Sequence, residues 1–335
     1  MQERLFPAIA LDKEKINLGP LLQVGTPVML KGGLRCTTVK QELSCEIIIK
    51  QGSYQEFARQ KKYNDHLPIQ FQKLFPTILQ LTSTHRPGEG LMLMEKFPGI
   101  SFHSFVFDTT LKDDLKLKTL KKVLQKLSSM HIYDCGQHFI TRDLRTWIKK
   151  IFSRLNKLPS PSVNLDQILP LLKYFESKTL VDHVIARHIH GDAQAGNFMI
   201  HAVDDLMKVK FIDPLGGSGR SPGDYVYDLS RLYHWIDCAG LCYELENETT
   251  RTYLKRHNAF LKIRDRANRS ILRALSVTAQ VLKDPHAQFW FYIYGAHHVS
   301  GKLNNFRSPR SQSVLSTALA YYLKKAVGFQ RRRKS

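Results

Sequence analysis

The chain has 335 residues, 43% of them hydrophobic, so it can bury a substantial core, and two packed lobes are more natural than one. Its formal net charge of +21 attracts anions such as nucleotides and disfavours polycationic substrates. No run is long and apolar enough to span a bilayer and the first residues lack a signal-peptide profile, so we expect a soluble, cytoplasmic protein.

The first candidate elements along the chain are a glycine pair and a strand that ends in lysine. Gly32 and Gly33 would let the backbone approach phosphate oxygens, although an ordinary hairpin turn explains the pair equally well. The next apolar strand ends at Lys50, which would direct its ammonium group at the same phosphates. Glu56 then begins a helical segment that extends to His66. A solvated acid favoured by the helix dipole in the first turn is one explanation for Glu56.

A predicted buried strand beginning at Leu91 leads into a linker, because Pro98 and Gly99 break the strand. The sequence therefore predicts two domains, residues 1–95 and 96–335. The two methionines of this strand could line a ligand or simply belong to the core.

The stretch after the linker shows helical periodicity, including Leu115 to His131 and Leu144 to Leu155, with turn signals between them.

The most informative segment contains Asp192, Asn197 and Asp213. Asp192 and Asn197 stand at opposite ends of one short predicted loop, and Asp213 follows the apolar strand 209–212. Transfer of a phosphoryl group to a hydroxyl needs an oxygen base beside the acceptor and hard oxygen ligands for Mg²⁺. These three side chains supply such groups, so the segment predicts a phosphoryl-transfer centre.

A metallohydrolase is the main rival chemistry. His188, His190 and Asp192 alternate along an extended segment and resemble a metal-binding cluster. Such clusters usually continue with a further His, where this chain has Ala193, and the rival leaves Asn197 unexplained. We therefore predict that His190 is structural and braces the loop through hydrogen bonds.

Several other polar residues have a structural explanation that we prefer. Asp228 precedes a predicted helix, 229–235, and is expected to cap it. Cys238 and Cys242 share a helix face and are expected to pack rather than bind metal, and the five scattered cysteines argue for reduced thiols. The aromatic segment 289–294 is predicted to be core, with His297 and His298 as candidate acceptor-site residues.

Three ordered patterns carry a resemblance to a known family. His190-Gly191-Asp192 is followed by Asn197 five residues after the Asp, Asp213 ends the next strand, and the segment 223–232 follows Asp213. Together these resemble the aminoglycoside phosphotransferase and choline kinase branch of the protein-kinase-like superfamily. The resemblance implies a two-lobed α+β fold, with a small N-terminal antiparallel sheet lobe that includes a helix and a larger, mainly helical C-terminal lobe.

The resemblance also implies ATP and Mg²⁺ as cofactors and a role for each matched residue. Asp192 would be the catalytic base, and Asn197 and Asp213 would bind the metal. In the N-terminal lobe Lys50 would bind phosphates, Glu56 would pair with Lys50, Gly32 and Gly33 would cover the phosphates, and the backbone from Glu95 to Phe97 would contact adenine.

The helical stretch between the linker and the Asp192 loop is longer than we expect for a protein kinase and resembles the helical insertion of small-molecule kinases. The resemblance therefore favours a small hydroxylated acceptor, and we incline towards a sugar or a surface-polysaccharide precursor. Two alternatives from other classes stay open. One is a catalytically inactive nucleotide-binding scaffold of the same fold. The other is a basic protein that contacts nucleic acid or an anionic membrane through clusters such as residues 331–334, although solvated helix faces explain most basic residues. The sequence contains no indication of oligomeric state.

Overall fold

The computed structural model describes residues 28–30, 39–42, 47–134, 136, 138–158, 165–203, 206–214, 222–247, 250–306 and 308–332. Two compact units make up the chain, Met1–Pro98 and Gly99–Ser335, and the division falls within the predicted linker. Gly32 and Gly33 lie outside the described residues.

The described part of the first unit is built on an antiparallel sheet. Its strand order is β1-β2-β3-β5-β4, and β5 is buried from residue 90 to residue 94, of which residues 91–94 are all apolar. The elements are β1 Val28–Leu30, β2 Val39–Glu42, β3 Ile47–Ser53, α1 Tyr54–His66, α2 Ile69–Gln72, β4 Ile78–Ser83 and β5 Glu89–Glu95.

Helix α1 begins two residues before the predicted start at Glu56, because Ser53 caps it. The Ser53 hydroxyl oxygen accepts a hydrogen bond from the Glu56 amide at 3.4 Å. Glu56 therefore occupies the first turn, where an acid interacts favourably with the helix dipole. The next residue, Phe57, packs against Met92 and Met94, so both methionines belong to the core of this unit.

The second unit is mainly helical, and helices make up 60% of the structure, which confirms the predicted fold class. Two small antiparallel sheets, β10-β9-β6 and β7-β8, accompany the helices in the described residues. The strands are β6 Ile100–Ser101, β7 Phe139–Asp143, β8 Val181–Ile185, β9 Phe198–Val203 and β10 Leu206–Phe211. The helices are α3 Phe102–Phe107, α4 Asp113–Ile132, α5 Leu144–Leu155, α6 Leu169–Glu176, α7 Tyr225–His234, α8 Gly240–Asn247, α9 Thr250–Val281, α10 Ala287–Leu303 and α11 Pro309–Arg332.

Periodicity predicted several of these elements closely. Helix α5 has the predicted bounds, and α4 extends the predicted Leu115–His131 helix by a few residues at its start and one at its end. The aromatic segment 289–294 lies in α10 and is buried, as predicted. No helix in the described ranges is long and apolar enough to cross a membrane.

A buried arginine ties together strand β7, helix α7 and the loop before α10. The Arg142 guanidinium donates to Asp224 at 2.6 and 2.8 Å and to Asp284 at 3.1 and 2.8 Å. Tyr294 donates to Asp224 at 2.6 Å and Tyr225 donates to Asp284 at 3.0 Å, so both carboxylates are satisfied further. Although burial acts in the opposite direction, Asp224 and Asp284 raise the pKa of Arg142 well above its usual value. The network fixes the start of α7.

A π turn, Trp235–Ala239, continues α7 without a break into α8. The Gly240 amide donates to the Trp235 carbonyl oxygen, and a Cβ atom at position 240 would lie 2.9 Å from that oxygen. Glycine is therefore required there. Beyond the turn Glu244 meets buried His103, with 2.5 Å between Oε1 and Nε2, and the indole of Trp235 donates to the other ring nitrogen at 3.1 Å.

Candidate active site

The loop between β8 and β9 is held in place by Asp228, which is fully buried. Its carboxylate accepts hydrogen bonds from the backbone amides of His190 at 2.7 Å and Gly191 at 2.8 Å. His131 donates to it through Nε2 at 3.1 Å. Gly191 has φ of 81°, a left-handed conformation that glycine adopts without strain.

The prediction that Asp228 caps a helix is wrong. Helix α7 begins at Tyr225, and its cap is Asp224, whose carboxylate accepts the Val226 amide hydrogen at 3.0 Å. Asp228 lies one turn into the helix and points its acceptors at the loop instead. Because the Asp228 carboxylate accepts hydrogen bonds from two backbone amides of the loop, it fixes the backbone just before Asp192.

His190 connects the loop to the end of β10. Its Nδ1 accepts the Asp192 amide hydrogen at 3.2 Å, and its Nε2 donates to the Ile212 carbonyl oxygen at 2.9 Å. Burial lowers the pKa of His190, although Asp228, Asp192 and Asp213 act in the opposite direction, so the ring is neutral at pH 7. Both ring nitrogens are used in bracing the loop, which confirms the structural role and removes His190 from any metal cluster.

Asp192 is clamped by side chains on either side. Arg231 donates to Oδ1 from Nε at 2.8 Å, and its Nη2 lies 2.8 Å from the same oxygen. Asn197 donates to Oδ2 at 3.0 Å, and the Gln194 amide lies at a longer 3.4 Å. Each carboxylate oxygen has about two acceptor positions. Both donors on Oδ1 come from Arg231 at short distance, whereas one of the two contacts on Oδ2 is the long one from Gln194, which a hydroxyl donor could replace.

Asn197 is oriented so that its oxygen can serve a cation. Its Nδ2 donates to both the carbonyl oxygen of Asp192 at 2.9 Å and the carboxylate of Asp192, which leaves Oδ1 as the group for a ligand. The Asn197 carbonyl accepts the Ile212 amide hydrogen at 2.9 Å, and Asp213 is the next residue. This bond brings the two predicted metal ligands to neighbouring backbone positions.

These two residues fit a magnesium ion bound together with a nucleotide. Mg²⁺ prefers oxygen ligands and commonly uses one or two protein groups plus phosphates and water. An amide oxygen and a carboxylate meet that requirement. Among the described residues, no cluster of three His, Cys, Asp or Glu side chains could bind a metal ion without the nucleotide.

Asp213 adopts a left-handed backbone with φ of 53°, which is uncommon for a residue with a side chain. The bonds of His190 and Asn197 to Ile212 fix the peptide just before it. Strain at such a position costs about 1–3 kcal/mol and is often found at functional sites. The left-handed backbone of Asp213 is therefore maintained by the hydrogen bonds to Ile212, not by the intrinsic conformational preference of aspartate.

We predict that Asp213→Gly raises the free energy of unfolding by about 1 kcal/mol, because glycine adopts this conformation without strain. Lys283 provides a matched comparison, since it has φ of 52° after helix α9. Lys283→Gly should be stabilising to a similar extent, and Asp213→Ala should be destabilising. Urea unfolding of the three variants measures the effects, and a loss of stability in Asp213→Gly would contradict the strain interpretation.

Apart from Gly32 and Gly33, which lie outside the described residues, the predicted nucleotide-binding residues of the first unit can be located, but their roles stay predictions. Lys50 is buried within β3, and Glu56 is partly exposed in α1. The Glu95 amide donates to the Thr77 carbonyl oxygen at 2.9 Å, and its carboxylate accepts from Thr77 as well. An adenine contact at Glu95 would therefore have to use its carbonyl oxygen. Phe97 follows in the linker.

Two contacts of the candidate site were not predicted from the sequence, those of Asp228 and Arg231. Both residues lie on α7 at a spacing of three, which places them on one helix face. That spacing is the signal that could have suggested a shared partner. Nothing local indicates that the partner is the loop containing Asp192, because the loop is distant in sequence.

The two cysteines singled out as a possible metal pair are buried and packed. The Cys238 thiol contacts the His234 carbonyl oxygen at 3.2 Å, and the Cys242 thiol contacts the Ser311 carbonyl oxygen at 3.8 Å. Burial raises the pKa of Cys238 well above its usual value and that of Cys242 to about 12, so both stay protonated at neutral pH. Packing is therefore their role, as predicted.

Comparison with known proteins identifies the fold. No family model matches this chain, and no curated protein matches it. Among solved structures, aminoglycoside phosphotransferase APH(4)-Ia is similar with a TM-score of 0.51 and 11% identity, covering 92% of this chain and 94% of that one. A glucosamine kinase in complex with glucosamine, ADP and inorganic phosphate is similar with a TM-score of 0.50 and 9% identity, covering 92% and 76%. The chain therefore has a kinase-like fold.

Proposed function

We propose that this protein is an ATP-dependent small-molecule kinase of the aminoglycoside phosphotransferase and choline kinase type, which transfers the γ-phosphoryl group to a hydroxyl of a small acceptor. One observation carries the proposal. Asp192, Asn197 and the peptide before Asp213 are held on a single hydrogen-bonded frame centred on buried His190. This frame supports the proposal because it connects a candidate base and two candidate metal ligands of the required chemistry.

The role proposed for Asp192 follows from its contacts. An acceptor hydroxyl can take the place of the long Gln194 contact on Oδ2, donate to that oxygen and lose its proton there as the hydroxyl oxygen attacks the phosphorus in line. Arg231 on Oδ1 keeps the carboxylate from rotating. Strong activation of the hydroxyl is not needed, because positioning and charge neutralisation supply most of the rate in phosphoryl transfer.

The remaining predicted residues are assigned to the nucleotide. Asn197 Oδ1 and the Asp213 carboxylate would hold Mg²⁺, which when bound neutralises charge on the phosphates. We propose that Lys50 binds the α and β phosphates and that Glu56 supports it. Gly32, Gly33 and the backbone from Glu95 to Phe97 are assigned to phosphate and adenine contacts in the same proposal.

A sugar is the acceptor that we favour. The structural neighbours include a glucosamine kinase with glucosamine bound and an APH(4)-Ia variant in a ternary complex with ADP and hygromycin B. The latter has a TM-score of 0.50, 10% identity and coverage of 92% of this chain and 94% of that one. Sugar hydroxyls are compatible with a carboxylate base whose Oδ2 has one close donor and one long contact that a hydroxyl could replace.

Thermal unfolding with different ligands tests nucleotide use. We expect ATP with Mg²⁺ at about 100 times its Kd to stabilise the protein by about 2.7 kcal/mol, which raises Tm on the order of 5 °C. ATP with a chelator should have a smaller effect. Asp213→Asn keeps the size and backbone preference of the side chain but removes its charge, so it should lose the magnesium-dependent part of the shift.

A panel of hydroxyl compounds assayed for ADP release completes this test. Stabilisation by ATP with Mg²⁺ but no ADP release from any compound would favour an inactive nucleotide-binding scaffold. Stabilisation by a short oligonucleotide and not by ATP would favour a nucleic-acid-binding protein instead. Either result contradicts the proposed function.

A further inference from the structure

A cluster of aromatic and basic side chains lies beside Asp192, where helices α5, α7 and α10 meet. Arg154 of α5 donates through Nη1 to the carbonyl oxygen of His297 and to its Nδ1, the latter at 3.1 Å. Asn304 donates to the Arg154 carbonyl oxygen at 3.0 Å. The ring of His297 packs edge-on against Trp147 at 4.7 Å between centroids. Arg154 is thus held in one position by α10.

Arg231 connects this cluster to Asp192. While its guanidinium binds the carboxylate of Asp192, its carbonyl oxygen accepts from His234 Nδ1 at 2.8 Å. The His234 ring stacks on His298 at 5.2 Å, and His298 in turn packs edge-on against Tyr227 at 4.5 Å. The cluster therefore begins at the carboxylate that would accept the proton and extends to Arg154.

The histidines of the cluster do not contribute positive charge. Burial lowers the pKa of His234, His297 and His298 well below the usual value, and the neighbouring arginines lower it further. The positive charge at neutral pH therefore resides on Arg231, Arg154 and the nearby lysines Lys150 and Lys302, of which Lys150 lies 4.1 Å from the centroid of the Trp147 ring. Burial also lowers the pKa of Arg154, and repulsion from Arg231 adds to this effect although Tyr227 opposes it.

The two arginines differ in their partners. Arg231 is neutralised by Asp192, whereas Arg154 contacts no carboxylate within the part of the chain that the structure describes. The repulsion between Arg154 and Arg231 favours the binding of an anion beside Arg154, because an anion would offset the excess positive charge. A guanidinium also presents a planar set of donors that matches phosphate and carboxylate oxygens. The arrangement is suited to an anion rather than to a cation.

We propose that the acceptor carries a phosphate or carboxylate group, which Arg154 binds while the acceptor hydroxyl faces Asp192. This inference rests on the proposed function and specifies its substrate class, an anionic sugar or similar polyol. Arg154 is the specificity-determining residue of this site. A polycationic acceptor would be repelled by Arg154, so the site would discriminate against it by charge.

Four sugars with the same ring test the inference: glucose, glucosamine, glucose 6-phosphate and glucuronate. They present a neutral, a cationic, a phosphate and a carboxylate substituent. With ATP and Mg²⁺ we expect kcat/KM for the two anions to exceed that for glucose by about 10–100-fold, the effect of a charge-assisted hydrogen bond, and glucosamine to be the poorest. Comparing kcat/KM for glucose 6-phosphate with kcat/KM for glucuronate shows which of the two anionic groups the site prefers.

Variants of two arginines on helix α5 test whether the preference for anionic sugars depends on Arg154. Arg154→Gln should raise KM for the anionic sugars by about 10–100-fold while changing kcat little, and Arg154→Lys should give an intermediate value because it keeps the charge without the planar donors. If the glutamine variant does not fold, the lysine variant still provides the comparison. Arg145→Gln is the matched control, since Arg145 is exposed on α5 and donates to Thr179 at 2.8 Å.

The outcomes separate this inference from the proposed function. A preference for glucosamine, or a KM for the anionic sugars that is unchanged in Arg154→Gln, would overturn the inference while leaving a kinase. If none of the sugars is phosphorylated, calorimetry without nucleotide decides the question. Tighter binding of the anionic sugars that disappears in Arg154→Gln would uphold the anion site, and no anion binding by the unaltered protein would overturn it.

Discussion

Asp192→Ala will abolish acceptor-dependent ADP release while leaving nucleotide binding largely intact. The loss removes both the proton acceptor and the group that positions the hydroxyl, and a general base alone contributes about 10²–10⁴-fold. Asn197 and Asp213 are retained in this variant, so ATP with Mg²⁺ should still raise Tm. The measurement is steady-state turnover on the best acceptor of the hydroxyl panel, together with the nucleotide-dependent Tm shift.

Two controls separate chemistry from stability in this experiment. Asp192→Asn keeps the shape of the side chain but cannot accept the proton, so it should be as inactive as alanine. Asp65→Asn removes an exposed carboxylate that pairs with Lys61 at 2.7 Å, and such a pair contributes about 0.5 kcal/mol or less. It should retain full turnover. Wild-type turnover in Asp192→Ala would refute the role assigned to this residue.

Asp228→Ala is expected to be the most destabilising of the substitutions considered, by about 3–5 kcal/mol. It leaves the buried amides of His190 and Gly191 and the Nε2 of His131 without their acceptor. The loop would also lose its fixed position, so turnover should fall even at temperatures where the variant is folded. Urea unfolding followed by circular dichroism gives the first quantity, and kcat on the folded variant gives the second.

Asp134→Asn is the comparison for this prediction. Asp134 is exposed and lies 3.9 Å from Arg187, so its removal should change the free energy of unfolding by less than about 0.5 kcal/mol. If Asp228→Ala were no more destabilising than Asp134→Asn, Asp228 would not be the anchor of the loop.

Short-range patterns were sufficient to predict much of this molecule. The bounds of α5 follow from its apolar periodicity, and the loop containing Asp192 and Asn197 follows from its position between extended segments. The bracing role of His190 was also predicted, because a metal cluster would have left Asn197 unexplained. In each instance the determining residues lie within a few positions of one another.

The wrong assignment of Asp228 and the contacts that were not predicted involve partners that are distant in the sequence. Asp228 fits a helix cap locally, yet the true cap is Asp224, and Asp228 is recruited by amides that precede it by more than thirty residues. The carboxylates that Arg142 binds at positions 224 and 284 are further away still. Which buried charges meet depends on how helices pack, and a local pattern contains no record of that packing.

The π turn at Trp235–Ala239 has a consequence for how this helix can diverge. One extra residue per turn rotates everything downstream by roughly 100° relative to an uninterrupted α-helix. The side chains of the half that contains Arg231 and those of the half that contains Glu244 therefore follow different helical registers, which meet at Gly240. Substitutions in the half that contains Glu244 leave the direction of Arg231 relative to Asp192 unchanged. A single-residue insertion or deletion between the halves would instead rotate one half relative to the other.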